Sequence, residues 1–279
     1  MKDVVKLSRK WTFILRSRAW FLLPGLIGVG VFALLPFADV LVRSFSNGFG
    51  NYKTVFGNGA FQLAVFNTLR FAGIGIPLLL ASSFFVALGI YKSKWMRFLK
   101  SIYLLPMAVP TAVLVLIWKA FFHKAGLFNQ LLSVFGIQPL DWLGSKAAFW
   151  VLIISYIWKN LGYTVVLWIA GMMSVSESLT EAARVDGATE RQCIIYIVMP
   201  QLRPVFYTIT MLSFLNSFKV FREAYLVAGS YPQKSMYLLQ HLFNNWFTNL
   251  EIDKMAAAAV LLAVFFAVCS LGLQKLWER

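Results

Sequence analysis

The sequence predicts an all-α, polytopic membrane protein with six transmembrane helices. Three observations carry that prediction. Hydrophobic residues make up 59% of the 279 residues and charged residues only 13%, about half the charge of an average soluble domain. The chain holds 26 Phe and 10 Trp, more apolar surface than one soluble core of this length needs. The apolar residues are also gathered into charge-free runs near the ~20 residues that cross a bilayer as a helix. The same composition excludes disorder. A formal charge of +15 would suggest nucleic acid in a soluble protein. Here basic residues flanking spans on the cytoplasmic side account for it, so membrane lipid is the expected surrounding and no nucleic-acid partner is expected.

The elements follow in order. Residues 19–38 carry no charge. That run exceeds the ~7–15 residues of a secretory signal core, and no small-x-small cleavage site follows it, so it reads as a retained helix. Residues 71–91 and 101–118 are the second and third spans, and 147–176, broken only by Lys159, the fourth. Residues 204–218, extended to about 227 past Lys219 and Arg222–Glu223, form a weaker fifth, and 255–274 the sixth. Pro77, Pro106 and Pro110 are placed to kink spans two and three. The small residues Ala256 to Ala259 are expected to let span six pack closely. Residues 125–140 are too short and too polar to cross, and read as an interfacial helix followed by a turn. Residues 235–250 lack Asp, Glu, Lys and Arg but hold Gln240, His241, Asn244, Asn245 and Asn249, and read as an external loop helix. Seven spans is the alternative count.

Orientation follows the basic residues of short loops. Residues 1–18 hold six, Lys2, Lys6, Arg9, Lys10, Arg16 and Arg18; residues 43–61 hold two; residues 92–100 hold four. The first segments therefore alternate in, out, in. An even number of spans puts both termini in the cytoplasm, with residues 177–203 inside as well. Cys193 and Cys269 lie in separate apolar segments and His123 and His241 are the chain's histidines, so neither a disulfide framework nor a metal site is expected.

Residues 174–204 differ from the other loops. They carry Glu177, Glu181, Asp186 and Glu190 beside Arg184, Arg191 and Arg203. Ser178 with Glu181 fits a capping box, and Thr189 with Gln192 a second. Leu179, Ala182 and Ala183 continue the first short helix, and Gly187 stops it as a left-handed residue after a helix end. Pro200 and Pro204 disturb or end the second. Ordinary connectors are short and flexible. A connector of about 30 residues with two capped helices reads instead as a rigid interaction element held close to the membrane.

Here the sequence resembles a known family. Glu181-Ala182-Ala183, Gly187, Ile197 and Pro200 are similar to the "EAA" signature of ABC importer permeases. The fuller string from Glu181 through Asp186 and Gly187 to Ala188 resembles the sugar-importing, maltose-type branch. Asn67-Thr68-Leu69, Tyr103-Leu104-Leu105-Pro106, Ile117-Trp118-Lys119, Gly126 to Asn129, Ile157-Trp158-Lys159 and Ala170-Gly171 fall where that family has similar residues. The likeness runs from about residue 20 to the C-terminus. Val175-Ser176, Thr180 and Ala228 to Pro232 depart from the family pattern.

The resemblance implies an ABC type I importer permease fold. It implies a cytoplasmic segment at 1–18, and a permease domain over 19–279 with its coupling loop at 174–204, in the cell (inner) membrane. It further implies that Glu181, Ala182, Ala183, Asp186, Gly187, Ile197 and Pro200 dock on separate ATPase subunits. The chain lacks GxxxxGK[ST] and has no phosphate-cradling loop of its own. It would be a transport subunit rather than an enzyme, with no cofactor; ATP and Mg would be bound by two partner ATPase subunits. The other implied partners are a second, homologous permease forming a heterodimer and an extracytoplasmic solute-binding protein. The expected cargo is a sugar or oligosaccharide. The alternatives are a permease for another small polar solute and a self-sufficient secondary transporter. The latter would predict internal repeats and acidic residues in spans, and Asp39 is the acidic residue counted inside one.

The path itself is read from polar residues at membrane depth. Trp158, Asn160 and Tyr163 cluster around Lys159 in span four, and Ser213, Asn216 and Ser217 in span five. Such residues supply hydrogen bonds and aromatic faces for a sugar. The competing reading is polar glue between helices. Lys219, about 200° from Ser217 on an ideal helix, is expected to point elsewhere. Arg70 and Asp39 are expected to snorkel from helix ends.

Overall fold

The computed structural model describes residues 22–92 and 100–277. The segment expected at 1–18, and most of the basic loop at 92–100, lie outside the described residues. All regular elements described are helical. They are α1 (Leu22–Ser44), α2 (Gly50–Gly57), α3 (Gly59–Lys92), α4 (Lys100–Ala108), α5 (Thr111–Phe122), α6 (Leu127–Val134) and α7 (Ala148–Met173). After these come α8 (Glu177–Val185), α9 (Glu190–Gln201), α10 (Arg203–Ser217), α11 (Phe221–Ala228), α12 (Leu239–Thr248) and α13 (Ile252–Trp277). Five helical stretches are long and apolar enough to cross a membrane, and the bent pair α9 with α10–α11 makes six.

The described chain divides into two compact units. The first contains α1, α2 and residues 249–265. In it, α1 runs past the apolar residues 19–38 to Ser44 because Asp39 and Arg43 pair one turn apart at 2.7 Å, so neither charge stands alone. The loop expected after span one contains the short helix α2, held by the buried Asn51, whose amide donates to Ser46 Oγ at 3.1 Å. Ala256, Ala257 and Ala258 are buried, as the small-residue stretch opening span six leads one to expect.

The second unit contains α3 to α12 and the remainder of α13. Its central pair is α3 and α7. Phe71, Leu79, Leu152, Ile153 and Tyr156 form one core cluster with Val220 and Ala224. Leu80, Ala87, Ile90, Trp168 and Met172 form another with Val198 and Leu202. The helix of span two begins at Gly59 rather than near residue 71, and Pro77 lies inside it without ending it. The extra turns carry polar residues that find protein partners. The Asn67 amide donates to the Lys234 and Tyr237 carbonyls at 2.7 and 3.0 Å. The Arg70 guanidinium lies 4.2 Å from the centre of the Phe149 ring, a cation–π contact.

Span three departs further from expectation. The run 101–118 is not one helix, because α4 ends at Ala108 and α5 begins at Thr111 with Pro110 as its N-cap. Proline lacks the N–H that a continuing helix needs and disfavours helical geometry in the residue before it. The crossing is carried by Thr111–Val134, with a short break before α6. Asn129 holds that break. Its amide donates to the Lys124 and Leu140 carbonyls, and its Oδ1 accepts from Leu140 N and Trp142 Nε1.

Gly171 decides how closely α7 meets α10. A Cβ there would stand 2.7 Å from Val205 Cγ2 and 3.0 Å from Leu202 Cδ2. Val205 is β-branched and cannot swing aside. Gly171→Ala is therefore expected to cost about 1–3 kcal/mol by overpacking, read as a lower melting temperature of the purified assembly.

Candidate functional site

Two places in the second unit combine the residues singled out by sequence. The first is the segment 174–204. Its leading helix α8 starts at Glu177 with Ser176 as N-cap, and no side chain caps it. The box expected from Ser178 and Glu181 is therefore not formed. Ser178 lies two residues too deep, and its hydroxyl pairs with Ser176 Oγ at 2.7 Å. Glu181 makes no hydrogen bond or ion pair to any described residue. The second box is present: Thr189 and Gln192 cap each other's backbone at the start of α9.

The turn between them is closed by backbone. Gly187 has φ +86°. Its N–H donates to Arg184 O at 3.1 Å, and Ala188 N donates to Ala183 O at 2.8 Å. Those are the two bonds of a Schellman ending, which requires a left-handed residue at the Gly187 position. A Cβ on Gly187 would meet nothing within 4 Å, so the demand for glycine inside this chain comes from backbone conformation alone.

The segment is anchored from behind. Val175, Cys193, Val198 and Leu202 are buried, and three of them join the α3–α7 core. α9 passes through a π turn at Cys193–Val198 and meets α10 at a 64° bend, where Pro204 occupies the first turn of α10. The outer face stays open: Glu181, Ala182, Asp186, Gly187 and Pro200 are exposed, and Ala183 and Ile197 half-buried. Val185 is 87% exposed, an apolar side chain presented beside unpaired charges.

The second place is a polar pocket where α7 meets the end of α10 and the start of α11. Lys159 lies 14 residues from the end of α7 at Met173, so the pocket is ~20 Å along the helix from the segment 174–204. One chamber of about 230 Å³ is lined by Ser155, Tyr156, Asn160, Tyr163 and Asn216, with Lys159, Lys219 and Glu223. An adjoining chamber of about 720 Å³ shares Lys159, Lys219 and Glu223 and adds Arg222, Gln240, Asn244 and four phenylalanines. Asn216 donates to the Tyr163 hydroxyl at 3.0 Å. Lys159 pairs with Glu223 and also reaches Thr111 Oγ1. The second oxygen of Glu223 is buried without a partner among the described residues, as is the Ser155 hydroxyl.

Asn160, Tyr163 and Asn216 thus come together. The other three residues named for the path do not join the lining. Trp158 turns from it and packs edge-on against Trp118, ring centres 5.7 Å apart. Ser213 lies one layer behind Tyr156, whose hydroxyl donates to its carbonyl. Ser217 is buried and donates to Phe214 O. Lys219, expected elsewhere, lines both chambers. The reason is which face of the helix turns inward. Lys219 is three residues after Asn216, and residues three apart share a helix face; the lining face is that of Asn216 and not that of Ser217. Glu223, a charge within the extended fifth span, is a buried partner of Lys159. The signal for it was available: opposite charges inside two different spans, Lys159 in the fourth and Glu223 in the extended fifth.

Nearby, His241 is fully buried. Its Nδ1 accepts from Leu238 N at 3.1 Å, and burial pushes its pKa down to about 4. Because the folded value lies below the ordinary ~6.5, protonation favours the unfolded form. Stability contributed by neutral His241 is complete above that ordinary value and is lost as pH falls toward the folded value. We expect the packing of α12 to weaken by about 2 kcal/mol between pH 7 and pH 5. Hydrogen exchange at the two pH values checks this, and His241→Phe should remove the difference.

Residues 73–279 match the family described as "Binding-protein-dependent transport system inner membrane component". The chain belongs to that family. It is thus a multi-pass inner-membrane permease of an ABC importer. It is 30% identical over 227 residues to the trehalose/maltose transport system permease protein MalF of Thermococcus litoralis, covering 80% of this chain and 76% of that one. It is 27% identical over 276 residues to the arabinooligosaccharides transport system permease protein AraP of Bacillus subtilis, covering 92% and 87%. A crystal structure of a bacterial ABC transporter involved in the import of the acidic polysaccharide alginate contains a chain of the same fold, with TM-score 0.85 and 24% identity over 97% of this chain and 99% of that one. The permease fold anticipated from the sequence is therefore the fold of this chain.

Proposed function

We propose that this permease passes a sugar or oligosaccharide through the pocket between α7 and α10–α11, driven by ATPase subunits docked on residues 177–201. The pocket carries the reading: amide, phenol and carboxylate groups converge at membrane depth beside a wall of aromatic rings. Sugars are held by hydrogen bonds to hydroxyls and by rings against their apolar faces. The relatives named for trehalose, maltose and arabinooligosaccharides support the cargo class. In this scheme Glu181, Asp186 and Gly187 engage a cleft on each ATPase, and ATP and Mg are bound there rather than by this chain. A second homologous permease completes the path, and an extracytoplasmic binding protein delivers the sugar. Movement of the ATPases rocks the spans between inward- and outward-open states.

The test is reconstitution of the intact complex with its binding protein in liposomes. A panel of labelled sugars should include at least one that raises ATP hydrolysis and accumulates inside. A complex that responds to amino acids or polyamines and to no sugar would refute the cargo class. Orientation is tested separately. Both termini and residues 177–203 belong in the cytoplasm, so an impermeant thiol reagent added outside should label Thr248→Cys and spare Ser178→Cys. Both positions are exposed within the chain, and the reverse pattern would overturn the topology.

A further inference from the structure

One wall of the larger chamber is α12, a helix outside the six spans, and its rotation about its own axis is fixed from behind. Leu239, His241, Leu242, Asn245 and Trp246 are buried. The Asn245 amide donates to Ser230 O and to the Tyr237 hydroxyl, Leu239 N donates to Thr68 Oγ1 of α3 at 3.0 Å, and the Trp246 ring stacks on Phe61. At 3.6 residues per turn, Gln240, Phe243, Asn244 and Phe247 then share an arc of about 100° on the other side of the helix. All four border the chamber. The anchored face thus dictates that two amides and two aromatic rings are presented to one space. The side-chain amides of Gln240 and Asn244 have no hydrogen-bond partner among the described residues, so engaging them breaks no bond within the chain. Phe247 is 61% exposed, an open apolar ring. Phe221 of α11, held edge-on by His241 with 4.8 Å between ring centres, borders the same chamber. The cations there, Lys219 and Arg222, are exposed; they stay hydrated and require no counter-charge in the cargo.

Resting on the sugar reading above, we propose that this face of α12 determines specificity by recognising a neutral saccharide in ring form. An amide both donates and accepts, as a sugar hydroxyl does. Gln240 and Asn244 stand one turn apart, with about 5–6 Å between Cβ atoms, so hydroxyls of one ring reach both. The C–H face of the same ring lies on Phe247. An open-chain polyol offers equivalent hydroxyls but no fixed apolar face to cover that phenylalanine. An amino acid or a polyamine meets no opposite charge on this face of α12.

The test uses the assembled complex with Cys193 and Cys269 replaced by alanine and a single reporter, Lys219→Cys, on the wall contributed by α10–α11. The rate of thiol labelling is measured with methyl glucoside, maltose or sorbitol added at equal concentration. The expected result is at least a five-fold slowing by one of the two ring sugars and less than two-fold by sorbitol. Gln240→Ala and Asn244→Ala should each abolish the protection while leaving the labelling rate without sugar unchanged, and Asn244→Gln should keep part of it. Phe247→Leu should bring the ring sugar down to the level of sorbitol. Protection that persists undiminished in all three variants Gln240→Ala, Asn244→Ala and Phe247→Leu would overturn the role of α12 and leave the sugar path standing. Equal protection by ring sugar and sorbitol would overturn recognition of the ring. Protection by none of the three would overturn the α12 site and the sugar path together.

Discussion

Replacing Gly187 by proline should abolish sugar-stimulated ATP hydrolysis while leaving the chain inserted and assembled. Proline holds φ near −65°, whereas Gly187 sits at +86°. The substitution also removes the N–H that closes the turn on Arg184 O. The turn between α8 and α9 would then open, and the face bearing Glu181 and Asp186 would be presented at another angle. Graded variants separate backbone from bulk. Asn tolerates the left-handed region better than other residues with a side chain, so Gly187→Asn should retain more coupling than Gly187→Val. Within this chain nothing crowds the position, so any loss in Gly187→Asn beyond a few-fold would report the fit against the ATPase. Normal coupling in Gly187→Pro would refute the docking role of the segment. Glu181→Ala should leave α8 as stable as before, because Glu181 takes no part in capping. A coupling defect there would come from a lost contact to the partner.

Breaking the Lys159–Glu223 pair should be the most destabilising single change in the pocket. Glu223 is buried and Lys159 about two-thirds buried. Removing one partner leaves the other charge desolvated and alone, at a cost of about 3–5 kcal/mol. Lys159→Met and Glu223→Leu are each expected to lower the melting temperature of the complex and its yield. The double variant Lys159→Met/Glu223→Leu should recover much of that loss, since two apolar side chains can replace a buried ion pair at little cost. Transport should not recover with it, because two polar groups of the pocket lining are gone. A double-mutant cycle on melting temperature, run beside an uptake assay, separates the two effects. Additive losses would show that the pair carries no coupling energy.

The membrane class, the six crossings and the special character of residues 174–204 were legible because each rests on local chemistry. A charge-free run of about 20 residues has one stable use in a bilayer, and every backbone group of a helix is satisfied within it. The Thr189–Gln192 box and the Gly187 turn were legible for the same reason, since their partners lie within five residues. Ser178 failed as a cap because a helix start is set by which residue first takes extended geometry, and Ser176 took it. Span three was misjudged because hydropathy does not register that Pro110 lacks an N–H.

The pocket was legible only in part. Sequence alone determined that polar groups in spans four and five must find partners, since lipid offers none. It named Asn160, Tyr163 and Asn216 on that ground. Which face each helix turns inward was decided by tertiary structure. Gly171 sets how closely α7 approaches α10, Tyr156 covers Ser213, and the Asn216 face, which Lys219 shares, is the one turned into the cavity. The pairing of Lys159 with Glu223, 64 residues apart in the chain, follows from the packing of α7 on α11. Hydropathy and helical periodicity describe each helix about its own axis. They contain no term for the phase of one helix against another, and that phase is what selects the residues of a site built between helices.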